Sequence, residues 1–85
     1  MLDQLSITTP QTLAQILKAY RLQKNMTQKD ISSLIGVRQA TVSLFERHPE
    51  KVTIETLFKI MSVLNIQINL SDRMDPKNKT WDGGW

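Results

Sequence analysis

Apolar residues recur along the first two thirds of the chain at helical spacing, interrupted at regular intervals by capping and breaking residues. Leu13, Ile16, Leu17 and Tyr20 fall at i, i+3, i+4 and i+7, one face of a helix. Thr9 and Pro10 precede them: Thr is a good N-cap, and Pro is tolerated at the first helical position, where its missing N–H is not needed. A helix over about residues 10–24 is predicted, with Asn25 as its stop and Met26 turning inward. Thr27 with Asp30 three residues later makes a capping box for a second helix, 28–35, with Ile31, Leu34 and Ile35 as its expected inner face. Gly36 follows where a helix commonly ends in a left-handed residue. A third helix, 38–46, offers Val42 and Phe45 to the core and otherwise short, polar side chains. Pro49 ends it by disfavouring helical geometry at His48. Thr53 caps a fourth helix whose expected stripe is Ile54, Leu57, Phe58, Met61 and Leu64, with Asn65 at its end.

At Ile66-Gln67-Ile68-Asn69-Leu70 the period changes from 3.6 to 2, which predicts a short strand. A lone strand in a helical chain lacks a partner, so the economical expectation is pairing across a homodimer. Residues 71–85 are polar, without a periodic apolar face, and read as a flexible tail. The fold expected is all-α, four to five helices plus that strand, in one domain over residues 1–70 followed by the tail. At 85 residues there is too little interior for two cores.

Composition narrows the function. No apolar run reaches the ~18 to 20 residues that cross a bilayer, and the start Met1-Leu2-Asp3 lacks a secretory pattern. The absence of Cys fits a reducing cytoplasm, the expected location. The formal charge is +3, but between residues 18 and 47 six cations (Lys18, Arg21, Lys24, Lys29, Arg38, Arg47) face only Asp30 and Glu46. Such a local field attracts polyanions, although lysines on a solvated helix give a similar count. His48 is the single histidine and stands in a loop; no phosphate-binding Gly-rich loop, carboxylate pair or metal-ligand spacing accompanies it. Neither an enzyme nor a cofactor or metal site is expected.

Two short helices joined by a turn containing Gly form a known DNA-reading device whose second helix enters the major groove, though an ordinary corner between helices shares that geometry. In the DNA-reading arrangement Arg38 and Gln39 begin the recognition helix and face base edges, Arg suiting guanine and Gln adenine. Ala40 fits a thymine methyl, and Ser43 lies one turn on. Gln28, Lys29, Thr41 and Arg47 are assigned to backbone phosphates, which set register.

The run from Thr27 to Arg47, with Thr-Gln at its start, Gly36-Val37 at the turn and Gln39-Ala40-Thr41-Val42-Ser43 leading to Phe45-Glu46, resembles the helix-turn-helix of the phage-repressor (Cro/C1) family. Ser32 departs from the Ala that the family usually packs between the two helices, though Ser is small enough to fit. The resemblance implies a lambda-repressor-like fold and a buried structural pair between Arg21 and Glu46. Across nearly its whole length, including Leu57-Phe58-Lys59-Ile60, the strand and a tail ending in Trp85, the chain is similar to HipB-type antitoxins. That similarity implies a repressor homodimer on inverted-repeat operator DNA of its own operon, and complex formation with a HipA-type serine/threonine kinase toxin, whole or split into two chains. It also favours Trp81 and Trp85 as anchors on that partner, exposed Trp being enriched among binding hot spots. A stand-alone phage-type repressor and an interaction adaptor that no longer reads DNA are the alternatives.

Overall fold

The computed structural model describes residues 6–72 and contains four α-helices: α1 (Pro10–Gln23), α2 (Gln28–Ile35), α3 (Gln39–Arg47) and α4 (Ile54–Leu64). A 3₁₀ turn, Pro49–Lys51, joins α3 to α4. The starts follow the caps. Thr9 accepts from the Thr12 amide at 3.1 Å and Thr53 from the Thr56 amide at 3.1 Å. At α2 both halves of the box form: the Asp30 amide donates to Thr27 Oγ1 at 2.9 Å, and the Thr27 amide donates to the Asp30 carboxylate at 2.8 Å. That bond to the backbone of Thr27, and then the one to its side chain, hold the Asp30 carboxyl below the ordinary carboxylate range.

Three of the helices end by one device. Asn25, Gly36 and Asn65 take positive φ (57°, 74° and 59°), and the next residue donates its amide to a carbonyl five residues back: Met26 to Arg21, Val37 to Ser32, Ile66 to Met61. This satisfies carbonyls left open at a helix end and turns an apolar residue back toward the core. Met26, Val37 and Ile66 all pack against it.

The core is made of Ala14 and Leu17 from α1, Ile31 from α2, Val42 and Phe45 from α3, and Ile60, Met61 and Leu64 from α4. Burial of the side chains larger than Ala14 contributes roughly 1.5–3 kcal/mol each, so the four helices hold one another rather than standing alone.

The structure corrects several expectations about which side faces in. Leu34 is 66% exposed, and Ser32 is buried in its stead, its hydroxyl donating to the Lys29 carbonyl at 2.9 Å. A small residue fits where α2 meets its neighbours, and the local bond pairs its polar atom. In α4 the buried line runs through Ile60, Met61 and Leu64, leaving Ile54 71% and Phe58 54% exposed on the flank of an apolar stripe wider than one chain covers. Arg38 stands outside α3 as its N-cap, in extended geometry. The expected strand at residues 66–70 does not form within the chain, and no strand occurs among the described residues. Ile66 is drawn into the end of α4, and strand hydrogen bonds for the rest require a second strand alongside.

Candidate nucleic-acid interface

α2, the Gly36 turn and α3 compose a helix-turn-helix, and α3 is held by its inner face. Val42 and Phe45 are buried, which aims the opposite side of a nine-residue helix at solvent. Arg38, Gln39 and Ala40 are exposed together where α3 begins, and Ser43 follows half-buried one turn on. Arg38 makes no side-chain capping bond, so its guanidinium is not spent on the helix end. Gln39, Ser43 and Arg47 line up at i, i+4 and i+8, and Arg47 Nε donates to Ser43 Oγ at 3.3 Å. That contact takes one Ser43 lone pair and does not use the hydroxyl proton.

The four residues assigned to phosphates do not share one environment. Lys29 and Arg47 are exposed cations, whereas Thr41 and Gln28 are half-buried. Gln28, the first residue of α2, donates its amide Nε2 to Glu46 Oε1 at 2.9 Å.

Behind this surface lies an ion pair. Arg21 Nε donates to Glu46 Oε2 at 2.7 Å and Arg21 Nη2 to Glu46 Oε1 at 3.0 Å, with the two side chains only 9% and 6% exposed. Arg21 Nη1 also donates to the Met26 carbonyl at 2.8 Å. The two-pronged geometry is the strong form of such contacts, fixing orientation as well as distance. It ties α1, the α1–α2 turn and the last turn of α3 together, so the exposed face of α3 rests on a rigid base. No buried side-chain polar atom among the described residues lacks a partner.

Sequence reading did not find the Gln28–Glu46 bond, because residues 18 apart carry no periodic signal of contact. It equally missed the Ser32 bond to Lys29 and the Ser43–Arg47 contact, the second of which the i, i+4 spacing permits. Trp81 and Trp85 lie outside the described residues, as does the expected tail from residue 73 onward. Among the described residues no cluster of three metal-ligating side chains occurs, and no helix is long and apolar enough to cross a membrane.

Comparison with known proteins agrees with this geometry. The family model described as Helix-turn-helix matches residues 17–70. The chain is 39% identical over 66 residues to Antitoxin HipB of Escherichia coli (strain K12), a match spanning 78% of this chain and 75% of that protein. Among solved structures, a chain of a HipA-HipB-O2-O3 complex superposes with a TM-score of 0.80 at 37% identity, covering 84% of this chain and 100% of that one. A chain of a HipB-O4 20mer complex gives 0.79 at 37% identity with the same coverage. With its fold, its helix-turn-helix and its sequence all in agreement, the chain belongs to the HipB antitoxins of the helix-turn-helix family.

Proposed function

We propose that this protein is a sequence-specific DNA-binding repressor that acts in the cytoplasm as the antitoxin of a HipA-type kinase, regulating its own operon. It is a regulator and not an enzyme. The observation that carries the reading is the outer face of α3: Arg38, Gln39 and Ala40 are exposed where the helix begins, with half-buried Ser43 one turn on, and the helix is fixed from behind by the Arg21–Glu46 pair. Relatives of the same fold, solved in complexes with O elements and with HipA, support it; we read those elements as operator DNA and HipA as the toxin.

In this reading Arg38 and Gln39 pair with base edges, Ala40 meets a thymine methyl, and Ser43 donates to a base or phosphate acceptor. Lys29, Arg47, Thr41 and Gln28 at the start of α2 hold phosphates and make binding fall with salt. Two copies pair through residues 66–70 and the exposed flank of α4, where Ile54, Phe58, Ile68 and Leu70 present apolar surface. A two-fold dimer sets its recognition helices about 34 Å apart, one turn of DNA, and so matches an inverted repeat. Trp81 and Trp85 anchor the kinase.

The test is binding of the full chain to DNA upstream of its own coding sequence, by fluorescence anisotropy over a salt series, with capture of the HipA-type kinase in parallel. Salt-dependent binding that the kinase strengthens is expected. Binding without kinase capture indicates a stand-alone repressor, and kinase capture without DNA binding an adaptor.

A further inference from the structure

Glu46 accepts three donors, and the third has no electrostatic necessity. Arg21 already occupies both carboxylate oxygens at 2.7 and 3.0 Å, so the charge is matched without Gln28. Yet the Gln28 amide also donates to Oε1 at 2.9 Å. What the third bond adds is a link between two places: Gln28 is the first residue of α2, and Glu46 lies in the last turn of α3. The start of α2 also carries exposed Lys29, beside the α2 N-terminus, where backbone N–H groups favour an anion. The bond therefore sets the phosphate-facing end of α2 against the helix that presents Arg38, Gln39 and Ser43.

We infer that Gln28 is a positioning residue for base recognition, acting through Glu46 to hold the register between the α2 phosphate anchor and the α3 reading face. An amide has two N–H donors and one carbonyl oxygen. One N–H is committed to Glu46, which fixes the plane of the group and the direction of its second N–H. A phosphate contact made by that second N–H would be aimed by the same bond. The consequence falls on discrimination more than on raw affinity. A contact that only holds a phosphate lowers binding to all duplexes alike, whereas a shift of α3 relative to its anchor penalises the correct bases selectively. The inference rests on the DNA-binding reading proposed above.

Gln28→Met suits the test, since it keeps the length of the side chain, removes the donor and leaves Glu46 paired to Arg21 on both oxygens, so the fold is retained. The full-length variant, the wild type and Lys29→Ala are titrated against a duplex selected by the wild type from a randomised library, and against its single-base variants. Thermal unfolding of each protein is recorded alongside. Gln28→Met is expected to lower the ratio of selected to substituted duplex by about tenfold, the scale of most of one base contact, with unfolding within a few degrees of wild type. Lys29→Ala is expected to weaken all duplexes by a common factor and leave the ratio unchanged. A Gln28→Met protein whose affinities fall uniformly, or not at all, overturns the positioning role while leaving the DNA-binding reading intact. A wild type that selects no duplex from the library overturns both.

Discussion

Removing the carboxylate of Glu46 leaves the Arg21 guanidinium buried at 9% exposure with the Met26 carbonyl as its remaining hydrogen-bond acceptor in the network. Breaking one side of a buried pair typically costs 3–5 kcal/mol, because the surviving charge has lost both water and partner. A domain of about 70 residues has a total stability of roughly 3–10 kcal/mol. Glu46→Ala thus consumes a third or more of it, and with ~4–8 °C lost per kcal/mol at this size Tm falls by about 12–40 °C. Urea unfolding followed by circular dichroism measures the change directly. The paired variant Arg21→Met with Glu46→Met is the decisive control: it removes both charges, and leaves the Met26 carbonyl short of a donor and the Gln28 amide short of its acceptor at about 1–3 kcal/mol each. Because Glu46→Ala also strands the Gln28 amide and leaves a buried charge besides, the paired variant is expected to be more stable than Glu46→Ala. A loss under 1 kcal/mol for Glu46→Ala, or a paired variant less stable than the single one, refutes the reasoning.

Other expectations follow from the helix ends and from the exposed flank of α4. Gly36 has a φ of 74° and open space where a side chain would begin, so Gly36→Ala should lose about 1 kcal/mol through backbone strain alone; Gly36→Asn should recover most of it, and an equal loss for both would show that something other than φ decides. Asp30 is held below the ordinary carboxylate range by Thr27. A depressed folded pKa gives stability that is present above the unfolded pKa and lost as pH falls through the folded one, so the Tm advantage of wild type over Asp30→Asn should shrink in acid. A constant gap across that range would contradict it. Sedimentation at micromolar concentration should show a dimer that Ile68→Pro weakens, since Pro removes a donor any strand pairing needs; an unchanged dimer would place the interface elsewhere.

The helices and their limits were legible because their signals are local. A cap and its acceptor stand three residues apart, as in Thr27 and Asp30, and a left-handed end needs only Asn or Gly followed by an apolar residue. Sidedness was less legible. Hydrophobicity ranks Leu34 above Ser32, but close approach of helices selects the smaller residue, a preference the period of one short helix does not encode. In α4 the apolar residues span a wide arc, and which part of it one chain covers depends on where the other helices lie. Residues 66–70 carry the alternation of a strand, but hydrogen bonding to another strand is a property of two segments. At the interface, the Arg21–Glu46 contact was implied by resemblance; the Gln28–Glu46 bond, joining residues brought together only by the fold, carried no signal in the chain.

The claim that α3 reads bases is tested most directly by competition binding of wild type, Arg38→Ala and Gln39→Ala against a selected duplex and all its single-base variants at fixed salt. Each substitution is expected to weaken the selected duplex by roughly 1–3 kcal/mol and to erase preference at one base pair per half-site, leaving other positions as discriminating as before. If both variants keep the full base preference of the wild type, the outer face of α3 is not the reading surface.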